Sequence, residues 1–511
     1  MVRYLQSQVN VKRVTDSLIL FLFSFFLLLI AGGDGFLRMP NYPGDASWFF
    51  MAGKSWMSGL IPYRDFADSK GPLVWLIYGL GYLISGNSLR GLFGFEVIAY
   101  WLNFYVLYRT ALVLSCNRKQ ALVASMTIAI LYFYPGMHSV MRIEDYCHLF
   151  QSTAFYILVK AFIKREWKRK YAFILGLCAG CTLMMKYAYF LTLLVPSGMV
   201  WIYLIVSGRS QWRNLLLFVA GVIAIALPFV IYFLSVGALN DFIREYFINT
   251  GHTIVNVKHH FDTYSPSYSQ KWPFKIWYML RTDNFWPEFL RIILVGLLCS
   301  VVYFRKNPWM WISLILWWIT SVSLFAVVDG EAYYLTLCIL VYGGICGIIK
   351  LFKGFSLRGV IMYGACYLAF VAILTTHYLY SEFHRTGIDT LRYKTLSSVG
   401  DIINEYEIQK GRRPTITNLL KQESGEHIMT NAIAGTRYYA YQSGMTPEME
   451  EKHIKDVFEL HPDFVIVRES EHEIRRKLTE NGYKLVKVYI GNPHFDPMQS
   501  VVDCLYVYDG D

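Results

Sequence analysis

The chain has 511 residues, of which 55% are hydrophobic and 17% charged, and its mean hydropathy is +0.34. This composition excludes an ordinary soluble protein, and apolar runs near the length of a bilayer span recur between Val14 and Tyr380. The net charge of +11 would suit nucleic acid, but the basic residues lie in loops between apolar segments, as the positive-inside rule describes. We therefore expect a multi-pass membrane protein whose partners include membrane lipids and no nucleic acid.

The first apolar segment runs from Leu18 to Ile30 and is followed by the sequence AGGDGFLRMP. This sequence lacks a convincing signal-peptide cleavage site, so we expect a retained first helix. Basic residues before the segment predict a cytoplasmic N-terminus, which places the first loop, residues 33–71, outside. The next apolar run, Pro72 to Ser85, is short for a span and predicts a surface or re-entrant helix.

From Gly91 onward, apolar segments alternate with loops whose charges predict their side of the membrane. Together with the first helix they predict about eleven transmembrane helices and an outer location for the residues after the last span. The predicted spans after the first are Gly91 to Leu114, Ala121 to Tyr134, Tyr146 to Ile163, Tyr171 to Met185, Phe190 to Val206, Leu215 to Val236, Phe285 to Phe304, Trp309 to Val328, Tyr333 to Leu351 and Val360 to Tyr380.

The chain becomes polar after residue 380, and no later run is long enough to span a membrane. The segment Leu391 to Tyr406 has a helical pattern. The segments FVIVRES, EHEIRRKLTENG, YKLVKVYI and CLYVYDG then read as strand, helix, strand and strand. We therefore predict a membrane domain over residues 1–380 and a small extracytoplasmic α/β domain over residues 381–511.

The stretch from Asp45 to Pro72 mixes charged and aromatic residues, which suits a membrane–water interface better than a span. Asp45 opens an aromatic segment, where a carboxylate either caps a helix or serves as a general base. Lys70 precedes the short apolar helix, where its ammonium either binds a lipid phosphate or extends into the water layer. Arg64 and Asp68 lie between them as possible substrate-binding residues. We interpret this loop as one half of an active site.

Further charged residues are predicted at the outer ends of later spans. Arg142, Glu144 and Asp145 belong to the sequence RIED that opens one span, and Lys186 ends another. Charges at a membrane boundary either stay hydrated or serve a site, and several outer loops can converge on one cavity. These residues are therefore candidates for the site, with solvated helix ends and an extended lysine as the alternatives.

Aromatic and histidine residues on the outer side give weaker signals. Tyr333 and Tyr334 open a predicted span, where an interfacial aromatic belt accounts for such residues more often than a ligand does. His252, His259 and His260 lie in the long outer loop, and adjacent histidines are poorly spaced for joint ligation from a helix. The nine cysteines lie mostly in apolar segments, which favours packing over disulfides. We therefore predict no metal site.

The order and sidedness of these motifs resemble the GT-C superfamily of membrane glycosyltransferases. The similarity is greatest to bacterial members related to protein O-mannosyltransferases and to the lipid A aminoarabinose transferase. The first loop carries an opening acid, a Gly-x-x-Pro-Tyr segment and a Lys-Gly-Pro segment, as in that superfamily. The matching residues are Asp45 to Pro72, Arg142 to Asp145, Lys186 and Tyr333-Tyr334.

The resemblance implies a helical polytopic GT-C fold and a transferase that takes a sugar from a polyprenyl-phosphate donor on the outer leaflet. It implies that Asp45 is the catalytic carboxylate and that Lys70 faces the donor phosphate. Glu144 or Asp145 would be the second outer acid, with the choice between them open. The chain departs from relatives that carry Asp-Glu, because it has Asp45-Ala46.

In such a reaction the lipid-phosphate leaving group develops negative charge, which fixed cations stabilise. We expect Lys70, Arg142 and Lys186 to supply that stabilisation, so the chemistry requires no metal or other cofactor. One carboxylate suffices to deprotonate the acceptor in a single displacement with inversion. The expected acceptor is an envelope glycan, lipid or protein at the outer face of the inner, or plasma, membrane.

Two other functions are compatible with parts of the sequence. A flippase for a lipid-linked sugar would show paired halves and helices broken at mid-membrane, and the sequence shows no such pairing. A non-catalytic assembly protein would use the outer α/β domain to bind a partner and would tolerate Asp45→Asn. The sequence identifies neither the sugar nor the acceptor.

Overall fold

The computed structural model is mostly helical, with a small sheet near the C-terminus. It describes residues 2–31, 44–133, 143–209, 212–252, 285–328, 338–352, 354, 356–369, 387–420, 426–440, 445–490 and 502–510.

The helices and strands are numbered in chain order, and a π-helix, Ile243–Asn249, continues α11. The elements are α1 (Val2–Ala31), α2 (Gly44–Met57), α3 (Pro72–Ser85), α4 (Arg90–Val113), α5 (Arg118–Thr127), α6 (Ala129–Tyr132), α7 (Ile143–Phe162), α8 (Arg169–Met185), α9 (Tyr187–Val206), α10 (Trp212–Ser235), α11 (Leu239–Phe242), α12 (Phe285–Tyr303), α13 (Pro308–Val328), α14 (Tyr342–Leu351), α15 (Leu357–Ala369), α16 (Gly387–Lys410), β1 (Thr415–Asn418), α17 (Glu426–Met429), β2 (Ile433–Ala434), α18 (Pro447–Leu460), β3 (Phe464–Arg468), α19 (His472–Glu480), β4 (Tyr483–Ile490) and β5 (Val502–Tyr508).

The chain folds into two compact units, each assembled from segments that are distant in sequence. The second unit combines the first outer loop and the segment after α10 with the C-terminal residues. The boundary predicted between residues 380 and 381 marks where the chain is expected to leave the membrane, and it stays a prediction. The first unit is Met1–Arg38, Phe93–Pro228 and Asp262–His377, and the second is Met39–Leu92, Phe229–Phe261 and Tyr378–Asp511.

Among the described residues, α4, α9 and α10 are long and apolar enough to cross a membrane. Shorter apolar helices of 10–17 residues occur at Val14–Ile30, in α3 and within the helices after α11. The predicted total of about eleven spans therefore stays a prediction. The helix predicted over Pro72 to Ser85 is confirmed as α3, with Pro72 at its first turn.

Two predicted segments differ in detail from the structure. The span predicted over Ala121 to Tyr134 consists of α5 and the short α6, because Ile128 ends the first helix. The side chain of Asn117 and that of Gln120 form a capping box that starts α5 before the predicted segment. The long outer loop after α10 begins with helix rather than coil, because α11 continues into the π-helix.

The C-terminal part of the second unit contains a five-stranded sheet with the order β2-β1-β3-β5-β4. Strand β1 pairs in parallel with β2 and β3, whereas β5 pairs antiparallel with β3 and β4. The predicted α/β character of this region is confirmed. Its core is apolar and includes Val457 of α18, Val465 and Val467 of β3, Leu478 of α19 and Tyr483 of β4.

Candidate active site

Helices α2 and α3 pack closely against each other within the second unit, and they carry the first-loop candidates. Gly53 and Gly79 lie at the crossing, where a Cβ on Gly53 would collide with the backbone of Gly79. The rings of Phe49 and Tyr78 meet edge to face, with centroids 5.5 Å apart. The glycine of α3 therefore permits close packing, whereas the sequence alone suggests only that it weakens the helix.

Lys70 lies two residues before α3, in contact with α2. Its Nζ is 3.1 Å from Ser69 Oγ, 3.9 Å from Asp68 Oδ1 and 5.5 Å from the centroid of the Phe49 ring. The Lys70 side chain is 14% exposed, so the ammonium is largely enclosed while it keeps some access to solvent. A cation held by one hydroxyl, one carboxylate and a ring face retains capacity to bind an anion.

Asp68 is buried beside Lys70, with 5% of its surface exposed. Its Oδ1 accepts hydrogen bonds from the backbone N–H and the hydroxyl of Ser69. Within the part of the chain that the structure describes, no donor reaches Asp68 Oδ2, although that oxygen is buried. The predicted substrate-binding role of Asp68 stays a prediction.

Tyr63 fixes the loop between α2 and α3. This residue of the Gly-x-x-Pro-Tyr segment has φ 68°, a left-handed backbone conformation that is rare for an aromatic residue. Its ring is fully buried against Trp75, with centroids 4.6 Å apart, and its hydroxyl donates to the carbonyl of Lys70 at 2.9 Å. The unusual conformation of Tyr63 therefore serves to position Lys70.

Arg64 lies on the exposed side of the same loop. Its Nε is 3.1 Å from Asp65 Oδ1, its Nη1 donates to the carbonyl of Val236, and its side chain is 44% exposed. Asp65 Oδ2 in turn accepts from the backbone N–H of Ile61. Arg64 therefore braces the loop while part of its guanidinium faces solvent.

Asp45 is the second residue of α2, one helical turn before Phe49. The structure describes its backbone but not the position of its side chain, so its predicted role as catalytic carboxylate stays a prediction. Its helix is nevertheless placed firmly, because α2 is anchored along its length by C-terminal residues of the same unit. The hydroxyl of Tyr439 donates to the carbonyl of Trp48, and the backbone N–H of Ala434 donates to Ser55 Oγ.

The strongest of these anchors is Lys54, which is fully buried. Its Nζ donates to the carbonyl oxygens of His427 at 2.8 Å and Thr430 at 2.5 Å, at the C-terminal end of the short helix α17. Burial, reinforced by the charge of Arg413, lowers the pKa of Lys54 well below its usual value. Since an amine donates hydrogen bonds in either protonation state, Lys54 links α2 to the C-terminal region.

The predicted acids of the first unit lie in the first turn of α7. Glu144 and Asp145 are each 2% exposed. Glu144 Oε1 is 3.2 Å from Lys186 Nζ and accepts from the hydroxyl of Tyr189 at 2.8 Å. Asp145 Oδ1 accepts from the hydroxyl of Tyr100 at 2.6 Å. The structure therefore pairs Lys186, a predicted donor-binding cation, with one of the two predicted acids.

Three predicted site residues lie outside the described residues: Arg142, Tyr333 and Tyr334. The same holds for His259 and His260. Within the described ranges, no group of three or more histidine, cysteine, aspartate or glutamate side chains is arranged to hold a metal ion.

Some residues that shape the site were missed by sequence reasoning. Tyr63 lies in a recognised motif, and only the structure reveals its left-handed backbone. Lys54 was visible as a lysine on an apolar helix face, which signals either a snorkelling side chain or a buried partner. Its acceptors are 373 and 376 residues away in sequence, so no local pattern identifies them.

Comparison with known proteins finds a family model that matches part of the chain and solved structures that share its fold. Residues 69–233 match the family model described as dolichyl-phosphate-mannose-protein mannosyltransferase. This segment contains Lys70, Glu144, Asp145 and Lys186, whereas Asp45 precedes it. No curated protein sequence matches the chain significantly.

Two crystal structures of ArnT from Cupriavidus metallidurans share the fold. The apo structure matches with a TM-score of 0.54 at 13% sequence identity, and the structure bound to undecaprenyl phosphate matches with a TM-score of 0.53 at 12% identity. Each match covers 98% of this chain and 98% of ArnT, so the likeness extends over both compact units. At this identity the likeness establishes the fold alone. The family match and the ArnT-like fold together confirm the resemblance to the GT-C superfamily of membrane glycosyltransferases that the sequence predicts.

Proposed function

We propose that this protein transfers a sugar from a polyprenyl-phosphate donor to an envelope glycan, lipid or protein acceptor, with inversion at the sugar. The reaction would take place at the outer face of the inner, or plasma, membrane. The family match supports a glycosyltransferase, and the ArnT structure with undecaprenyl phosphate supports a polyprenyl-linked donor. The orientation is supported by the distribution of basic loops in the sequence.

One observation carries the proposal: Lys70 is held at the start of α3, against the helix that carries Asp45. The Lys70 ammonium lies over the ring of Phe49, and Phe49 follows Asp45 by one helical turn. A phosphate-binding cation and a carboxylate on two packed helices meet the minimum requirement for displacing a phosphate from a sugar carbon.

The proposed chemistry assigns separate tasks to these residues. Asp45 accepts the proton of the acceptor hydroxyl or amine as that atom attacks the anomeric carbon of the sugar. The bond from that carbon to the phosphate oxygen breaks, and Lys70 stabilises the negative charge that remains on the polyprenyl phosphate. Arg64, through its exposed guanidinium, and Asp68, whose buried Oδ2 has no donor among the described residues, would hold hydroxyl groups of the substrates.

Further roles in the proposed reaction fall to residues of the first unit. We assign Arg142 and Lys186 to the donor phosphate, Glu144 or Asp145 to the second outer acid, and Tyr333 and Tyr334 to substrate contacts. The pairing of Lys186 with Glu144 adds a positioning role, because each charge orients the other. With cations already in place, the proposed reaction needs no metal.

The test is a transfer assay with purified protein in detergent micelles. Undecaprenyl-phosphate-linked sugars extracted from the producing cells are supplied with an envelope glycolipid and glycan fraction, and products are followed by mass spectrometry. Transfer by the wild type and an about 100-fold or larger loss in Asp45→Asn would support the assignment. A flippase moves lipid between the two leaflets of a bilayer. Since a detergent micelle has no second leaflet, sugar transfer in micelles cannot come from a flippase. Equal transfer by wild type and Asp45→Asn would overturn the role of Asp45.

A further inference from the structure

The second unit contains a cleft of about 370 Å³ that none of the assigned catalytic residues lines. One wall is formed by the π-helix and His252 beyond its end, and the other by the first part of α18 with Arg437 and Tyr438. This volume falls within the range of about 300 to 1,000 Å³ that is typical of small-molecule sites. The cleft is therefore large enough for a ligand.

The floor of the cleft is a preorganised polar network around Glu245, which is 5% exposed. Arg437 Nη1 donates to Glu245 Oε1 at 3.0 Å, and the hydroxyl of Tyr438 donates to Oε2 at 3.0 Å. Asn249 Nδ2 also donates to Oε2, at 2.8 Å. Side chains held in this way keep their orientation before a ligand arrives, which reduces the entropy lost on binding.

Three basic and two acidic side chains line the cleft, and Asp241, which pairs with Arg244 from outside the lining, balances the charges. Arg244 Nη2 is 2.9 Å from Asp241 Oδ1, and Arg437 pairs with Glu245, so each guanidinium has an acidic partner. At the exposed rim, Lys452 and Glu448 contribute one charge of each sign, and His252 adds an imidazole. A balanced set of donors and acceptors distinguishes this cleft from a phosphate site, which would carry an excess of cations.

The balance of charges excludes three chemical classes of ligand. An anionic ligand would meet Glu448, a cationic one would meet Lys452, and an apolar one would remove water from charged side chains and give them nothing in return. A neutral, hydroxyl-rich ligand satisfies both signs, since each hydroxyl both donates and accepts. Met449 adds an apolar contact of the kind that the C–H face of a sugar ring can use.

We propose that this cleft binds a neutral glycan segment of the acceptor. The inference rests on the proposed transferase function, and it deepens that function by assigning a class of acceptor. The donor is excluded as the occupant of the cleft because its phosphate requires uncompensated positive charge. Glycan bound here is held by the C-terminal region, whose residues also anchor α2.

The experiment measures sugar binding to the full-length protein in detergent by saturation-transfer NMR. Three probes of equal length differ in charge: the neutral tetramer of N-acetylglucosamine, the cationic tetramer of glucosamine and the anionic tetramer of galacturonic acid. We expect the wild type to bind the neutral tetramer most strongly. Glu448→Lys should shift the preference roughly tenfold toward the anionic tetramer, and Lys452→Glu should shift it similarly toward the cationic one.

The matched control is Lys455→Glu, which changes the same charge on an exposed position of α18 that does not line the cleft. It should bind like the wild type. Absence of neutral-tetramer binding, or identical preferences in the wild type, Glu448→Lys and Lys452→Glu, would overturn the cleft assignment. In the transfer assay, Lys452→Glu should raise the acceptor KM and leave the donor KM unchanged. If wild-type transfer persists while every probe fails to bind, the transferase proposal stands and only the cleft assignment falls.

Discussion

The two lysines predicted to bind the donor phosphate, Lys186 in the first unit and Lys70 in the second, differ in how closely an acid neutralises them. Lys186 lies 3.2 Å from a carboxylate oxygen of Glu144, which also accepts the hydroxyl of Tyr189. Lys70 lies 3.9 Å from Asp68, with a serine hydroxyl and a ring as its other neighbours. The first arrangement is a close ion pair, whereas the longer distance in the second leaves more of the ammonium charge available.

The two distances indicate that a predicted position on the outer side does not by itself make a lysine a phosphate ligand. A lysine in a close buried pair also holds its helices together, in addition to any role at the donor, because breaking the pair leaves a buried charge without its nearest counter-charge. A lysine with a distant partner gains more from a phosphate than it loses. Exchanging each lysine for methionine, which keeps the length of the side chain, separates the two roles.

The largest effect is expected for Lys186→Met. Glu144 is 2% exposed, so loss of its cation leaves a buried charge and should cost about 3 to 5 kcal/mol of stability. The thermal unfolding midpoint in detergent should fall, and the double variant Lys186→Met with Glu144→Gln should recover most of it. A single variant that is as stable as the wild type and lacks only turnover would show that Lys186 acts on the donor alone and that its pairing with Glu144 does not stabilise the fold.

The opposite pattern is expected for Lys70→Met. The Lys70–Asp68 pair is about as buried as the Lys186–Glu144 pair, but its charged atoms are 3.9 Å rather than 3.2 Å apart, so the unfolding midpoint should fall by less than in Lys186→Met. Turnover should fall about 100- to 1,000-fold, because the leaving phosphate loses its stabilising cation. Lys70→Arg, which retains the charge, should restore part of the rate in the micelle transfer assay. If Lys70→Met leaves turnover unchanged, Lys70 does not stabilise the leaving phosphate, and its proposed role is wrong.

A smaller effect is expected for Lys54→Met. Within the second unit, this variant separates a lysine that holds α2 in place from Lys70, which is proposed to act on the substrate. The variant leaves the buried carbonyls of His427 and Thr430 without a donor, at a cost of about 1 to 3 kcal/mol. Differential scanning calorimetry should detect the loss, while Lys455→Met, on an exposed position, should change stability by less than about 0.5 kcal/mol. A neutral or stabilising Lys54→Met would show that the C-terminal region does not depend on this link.

The smallest effect concerns pH and Asp503 in β5. Burial, opposed in part by Arg468, raises the pKa of Asp503 to about 6, so the folded state holds this proton more tightly than the unfolded chain does. Its unfolded pKa is about 3.9, so stability should fall as pH rises from about 4 to about 6 and level off above. Thermal midpoints at several pH values should show a shallower slope in Asp503→Asn. If Asp503→Asn leaves the slope of thermal midpoint against pH unchanged, other titrating groups cause the pH dependence of stability.

The sequence predicted those parts of the fold that local patterns determine. Strand β4 has the predicted bounds, Tyr483–Ile490, and α3 has the predicted bounds, Pro72–Ser85. Strand β1, with the sequence TITN, was missed because four partly polar residues give no periodicity before their neighbours are known. Helix α18 was also missed, although Thr446 and Pro447 at its start form a recognisable N-terminal signal.

The candidate site was predictable in residue types but not in pairings. Glu144 and Lys186 were both expected on the outer side, yet 42 residues separate them and only packing of α7 against the α8–α9 junction brings them together. Likewise, no local pattern indicated that C-terminal residues would hold α2. Long-range pairing depends on tertiary packing, and sequence periodicity carries no information about which elements meet.

The most direct test of the proposed transferase function uses a deletion strain complemented with the wild type or with Asp45→Asn at equal protein levels. Mass spectrometry then compares the envelope glycolipids and polysaccharide of these strains. The proposed transferase predicts that one sugar disappears on deletion and returns with the wild type but not with Asp45→Asn. Full restoration by Asp45→Asn would contradict the general-base role of Asp45 and favour a transport or assembly function.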